Sequence, residues 1–406
     1  MTDALGLIYI AGILWGYVLF YLWERVSRRR GFLLLLFSPL VLVVVLRYSG
    51  TDTYGVYEVA LWHTFRTGLP TGFEVGSDAL FRLLLGLTGS PVWAVRGVGV
   101  FFGLLLTLFL WRSDSLERRF FFLLYVPAFF FPHGMMTLRT GLALALLLLA
   151  WQEMRRGRAV PALGLAVLAP FFHISALVVM GLLAVGEFWR WGRRGLWALG
   201  FLALLGLVLM GFDAERLVDK VHFYLGPGDD ARNFLILTPQ APGGSRTLMV
   251  GLILGGLLLT PISLRKKLLA VALLGGAMAL FQGLAYVTGF GGVRLLELAA
   301  FATSLVALRL TEGLSEREIR RLTLALVLAG VLGGAFNQKN FWEDWGGRIS
   351  GSLSPFIPYH TVWNYDPCPP SSYHRPREEG ICPTLTPSPT SFFLVLDPSL
   401  LGLYPW

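Results

Sequence analysis

Apolar stretches of about 16 to 20 residues recur along most of this chain, close to what an α-helix needs to cross the hydrocarbon of a bilayer. They fall near 4–23, 31–46, 91–111, 119–132, 139–151, 159–172, 174–189, 195–212, 246–264, 268–289, 293–309 and 321–336, about twelve in all. A chain that is 55% hydrophobic and only 15% charged is too apolar for an ordinary soluble domain. The expected fold class is therefore an all-α polytopic membrane protein. Backbone polar groups inside lipid must be satisfied within the segment, which favours helices.

The connections between the runs alternate in charge. Those at 24–30, 112–119, 152–158, 189–194, 264–267 and 309–321 hold well over half of the 34 Lys and Arg. Positively charged connections stay on the cytoplasmic side, so both termini are expected to face outward. The net charge of +9 is thus a topological signal and does not call for nucleic acid.

The remaining cations are more informative, because they break this bias. Arg47, Arg66, Arg82, Arg96, Arg139, Arg216, Lys220, Arg232, Arg246, Arg294 and Arg348 fall on or near the expected outer face. Snorkelling to lipid headgroups accounts for about half of them; an anionic ligand at the outer leaflet accounts for the others. In RYSGTDTYGVYE, Arg47, Asp52 and Tyr54 follow the second apolar run, and Arg139 opens the fifth. His173 and Ser175 lie in APFFHISAL, and Arg294 and Glu297 open the eleventh run in GFGGVRLLELAAF. Ionisable groups at the ends of spans are costly and usually functional. If the bundle closes, these ends form one polar patch.

Two outward loops, 47–90 and 213–246, accompany a bundle expected over 1–336, and residues 337–406 form an extracytoplasmic tail. Within the first loop, FEVGSDALFRLLLGLTG reads as a helix lying on or dipping into the membrane. Leu80, Leu83, Leu84 and Leu87 share one face, and Asp78 and Arg82 pair on the other. The tail carries the chain's two cysteines, Cys368 and Cys382. In an oxidising compartment a disulfide there would close a loop of about 15 residues and stabilise the tail by roughly 3 kcal/mol.

Several arginines beside an aspartate or histidine at headgroup depth suit a polyprenyl diphosphate. Guanidinium groups hold its phosphates and stabilise charge on the leaving diphosphate, while a carboxylate or imidazole deprotonates an acceptor hydroxyl. No metal is required in that reading. Asp229 and Asp230, beside Gly and Pro, read as a solvated turn.

The ordered series RYSGTDTYGVYE, FEVGSDALFRLL, LRTGLALALLLLAW, LAPFFHISAL and GVRLLELAAF resembles the EpsG family of bacterial exopolysaccharide membrane proteins, itself similar to Wzy-type polymerases of O antigen and capsule. The resemblance implies a GT-C-like bundle in the bacterial inner membrane. It also implies a metal-independent transferase, without cofactor, that polymerises undecaprenyl-diphosphate-linked oligosaccharide on the outer face. Carried onto this sequence, it gives Arg47, Arg139 and Arg294 as diphosphate ligands and Asp52 or His173 as base. Tyr54, Glu74, Tyr224 and Arg246 are the expected substrate contacts. The long outer tail is a candidate docking surface for a chain-length regulator. An O-antigen-ligase-like transferase and a lipid-linked sugar flippase stay open as alternatives, although transport favours charges near mid-bilayer over charges at one face.

Overall fold

The computed structural model describes residues 2–26, 30–47, 57–184, 244–288 and 290–343, and among these it is helical with no strand. In chain order the elements begin with α1 (Thr2–Val26), α2 (Arg30–Val45), α3 (Val59–Thr67), α4 (Val75–Thr88), α5 (Pro91–Arg112) and α6 (Ser115–Phe120). Two wide-turn segments follow, π1 (Phe121–Phe130) and π2 (Pro132–Met136), then α7 (Leu138–Arg155) and α8 (Ala159–Phe172). After them come α9 (Gly244–Leu258), α10 (Leu264–Ala270), π3 (Val271–Gly275), α11 (Gly276–Thr288), α12 (Phe290–Leu310) and α13 (Arg320–Glu343). By length and composition α5 is the one described helix that meets the usual requirement for crossing a bilayer; α2, α8 and α9 are apolar but shorter.

The expected spans fall on these helices. The one near 174–189 is helical from 176 to 184, and the one near 195–212 lies outside the described residues. At the other limit α13 runs on past 336 to Glu343, so the bundle and the tail are joined by continuous helix.

Local chemistry explains how apolar helices with prolines hold together. Pro39 lies inside α2 and has no N–H to offer the carbonyl of Leu35. The Ser38 hydroxyl donates to that carbonyl instead, at 2.6 Å. The π segments sit at the centre. Every residue of π1 is buried, and α1, α6 and α13 pack on it. The last wide turn closes where Thr137 N–H donates to Pro132 O at 3.0 Å, after which α7 begins. On the far side α13 crosses π1 at Gly330, which lies so near the Leu123 carbonyl that a Cβ would collide with it.

Helix α4 matches the expected position but divides its faces differently. Ser77, Phe81 and Leu85 face the bundle, leaving Leu83 and Leu87 exposed. The bulky ring of Phe81 stacks on Tyr57 at 5.5 Å, and this contact fixes the inward side. The exposed leucines suit a helix set against lipid. The expected Asp78–Arg82 pair forms at 3.8 Å, and Asp78 Oδ1 also accepts from the Thr71 backbone and hydroxyl at 2.7 and 2.6 Å.

Candidate functional site

The start of α7 places Arg139 against the first loop, where Nη1 donates to Glu74 Oε2 at 2.6 Å. Its guanidinium lies over the Phe73 ring at 4.3 Å and near the Tyr57 ring at 5.8 Å. Such a cation is held by a carboxylate on one side and by aromatic faces on the other. Close approach here depends on Gly141, since a Cβ at that position would stand 2.5 Å from the His133 carbonyl. The glycine thus brings the turn bearing Arg139 directly onto π2.

Arg47 and Arg96 form a second part of this end. Arg96 pairs with Glu58 at 2.5 Å and donates to the Arg47 carbonyl at 2.7 Å. Arg47, only 1% exposed, turns its own Nη1 back to Val44 O at 2.6 Å. Burying guanidinium groups so completely is costly unless they are satisfied; Arg96 is ion-paired, and Arg47 is hydrogen-bonded to a backbone carbonyl. Tyr57 and Glu58 are adjacent, so the Arg96 and Arg139 contacts meet at the start of α3. The Tyr57 hydroxyl reaches Met136 O at 3.5 Å, tying this loop to π2.

A third part comes from π2, α9 and α12. Buried His133 places Nε2 3.4 Å from Glu297 Oε1, and the other oxygen of Glu297 is 3.9 Å from Arg246. The imidazole stacks on Phe129 at 5.6 Å, and Tyr125 and Phe301 border it. On α8, His173 ends the helix. Its Nδ1 is 2.6 Å from the Ser175 hydroxyl and accepts the Ser175 N–H at 3.2 Å. Next to it, the Ser77 hydroxyl of α4 donates to Phe172 O at 2.7 Å. A continuous set of contacts therefore joins Arg47, Arg96, Glu58, Tyr57 and π2 to His133, Glu297 and Arg246 at one end of the bundle.

The opposite end has its own charged network. Asp114 and Glu117 form a reciprocal capping box at the start of α6. Glu117 also receives Gln152 at 2.7 Å and Arg155 at 2.8 Å. Arg155 further meets Asp114 at 2.9 Å and pairs with Glu312, while Glu153 pairs with Arg112, Arg156 and Arg158. Burial pushes the Glu117 carboxyl up, and the Asp114 charge adds to this, with Arg155 opposing. A cavity of about 290 Å³ opens here between Asp114, Arg155, Glu312 and Glu316.

Of the residues expected to form the site, the structure brings Arg47, Glu74, Arg139, His173 and Arg246 to the same end. Asp52, Tyr54, Tyr224, Cys368 and Cys382 lie outside the described residues. Arg294 falls in the first turns of α12, and its side chain is not among those described. Sequence reading passed over Tyr57, Glu58 and His133. Glu297 stands against His133 and Arg246. A buried histidine amid FFFPHGMM gives no periodic signal, and Glu58 becomes significant only beside Arg96, 38 positions away.

No curated protein and no solved structure matches the chain. The family model described as the EpsG family matches residues 31–338, and the chain belongs to the EpsG family.

Proposed function

We propose that the chain is a membrane polysaccharide polymerase whose site is the Arg139 end of the bundle. The observation that supports this most is the gathering of Arg47, Arg96, Arg139 and Arg246 with acidic and imidazole groups at that end, in a chain of the EpsG family. The helices make a GT-C-like bundle of about twelve spans, with the Arg139 end on the outer face of the inner membrane.

The substrate is an undecaprenyl-diphosphate-linked oligosaccharide. Its lipid lies in the bilayer and its diphosphate reaches Arg139, Arg294 and Arg47 at headgroup depth. An acceptor hydroxyl oxygen attacks the anomeric carbon, its proton passes to Asp52 or His173, and the sugar's bond to diphosphate breaks. The arginines carry the charge that develops on the leaving diphosphate. Tyr54, Glu74, Tyr224 and Arg246 make further contacts to this substrate.

Purified protein in nanodiscs, supplied with one lipid-linked repeat unit, is expected to yield a ladder of products that survives chelator. A single-step product makes the chain a ligase instead; translocation without product makes it a flippase.

A further inference from the structure

The site reading uses Arg246 but leaves His133 without a role. The imidazole is 1% exposed and stacked on Phe129, in the wide-turn segment immediately before Arg139. Its Nε2 faces Glu297, its Nδ1 has no hydrogen-bond partner among the described residues, and Glu297 in turn faces Arg246. Buried polar atoms are normally satisfied, so an imidazole kept in an aromatic enclosure with one nitrogen unused calls for an explanation. Wide helical turns also cost hydrogen-bond geometry and recur at functional sites.

We propose that His133 is a positioning residue for the diphosphate subsite, acting through Glu297 on Arg246. The imidazole edge, with Nε2 3.4 Å from Oε1, bounds the Glu297 carboxylate on one side, and the carboxylate then orients the Arg246 guanidinium from the other. This is the second layer that keeps a ligand-binding cation within reach of its target geometry. Because Gly141 presses on the His133 backbone, the same residue links Arg246 to the turn that carries Arg139. Two cations delivered from α7 and α9 are thereby held in register by one histidine of π2.

The inference rests on the proposed diphosphate substrate, and the test separates the two. Binding of undecaprenyl diphosphate in detergent micelles is measured for the wild type, Arg246→Ala, His133→Phe and His133→Gln, with melting temperatures for each. Phe keeps the ring stack and removes the N–H; Gln restores a donor. The expected result is that R246A and H133F each weaken binding about tenfold or more, and that H133Q stays within about threefold of the wild type. With the substrate present, H133F is expected to raise KM more than it lowers kcat. Wild-type binding by H133F beside a weakened R246A overturns the inference and leaves the substrate reading standing. No binding by the wild type overturns that reading as well. Should H133F melt early, H133Q decides: weakened binding in a normally melting H133Q also overturns the inference.

Discussion

The two ends of the bundle hold similar kinds of residue and arrange them differently. At the Glu117 end, charges run from a buried centre to an open rim, with Glu153 at 2% and Glu316 at 72% side-chain exposure. Carboxylates there meet several cations each, contributed by the connections at 112–119, 152–158 and 309–321. At the Arg139 end, Arg47, Arg96, Glu58, His133 and Glu297 are all buried, and aromatic rings enclose the guanidinium of Arg139 and the imidazole of His133. A rim open to water suits a fastening between connections. Charges withdrawn from water suit a ligand that replaces the water, because electrostatic forces act more strongly there.

Substitutions at the two ends should therefore separate activity from stability. The largest effect is expected from Arg139→Ala, which should lower polymerisation by about 100-fold or more while the protein melts within a few degrees of the wild type. A normal product ladder from that variant removes Arg139 from the site. Glu117→Ala should do the reverse, since it removes the buried carboxylate that receives Arg155 and Gln152 and completes the α6 capping box. Loss of one partner from a buried pair costs about 3 kcal/mol or more, read as a melting temperature several degrees lower with unchanged product lengths.

Gly141→Val tests how the Arg139 turn is placed. The added side chain meets the His133 carbonyl and should cut activity about tenfold through misplacement, with less loss of stability than E117A; equal activity would mean that the close approach is incidental.

The smallest effect lies at the rim. Ser315 holds Glu318 through its hydroxyl and N–H, both at 2.7 Å, and these bonds draw the carboxyl below its ordinary value of 4.5. A lowered folded-state value gives stability that is present above the unfolded value and lost as pH falls through the folded one. The melting difference between the wild type and Ser315→Ala should therefore be small at neutral pH and shrink as the solution is taken below about pH 4.

How much of this was legible depended on the range of the interaction. Apolar runs and basic connections are local, so the limits of α5 and α8 could be read almost to the residue, and the Asp78–Arg82 pair followed from a spacing of four. The side of α4 that faces the bundle was not legible, because leucine density favoured Leu83 and Leu87 while the ring stack with Tyr57 favoured Phe81. At the site, Arg139 stood out as a lone cation opening an apolar helix. Its partner Glu74 is 65 positions away, and the link from His133 through Glu297 to Arg246 draws on three separated elements. Such pairings are made by tertiary packing and leave no period in the sequence. The wide turns of π1 and π2 were equally hidden, since Phe-rich runs look the same whichever hydrogen-bond pattern they adopt.

The contact of Gly330 with the Leu123 carbonyl also acts as a mechanical stop. A helix meeting its neighbour through ordinary side chains can slip by a residue and repack. Here a slip of one place would drive Val331 or Ala329 into a backbone oxygen, so α13 has one permitted height on π1. The same π1 leads within a few residues to His133 and Arg139. A shift of α13 along its own axis would therefore meet that carbonyl before the seam could repack.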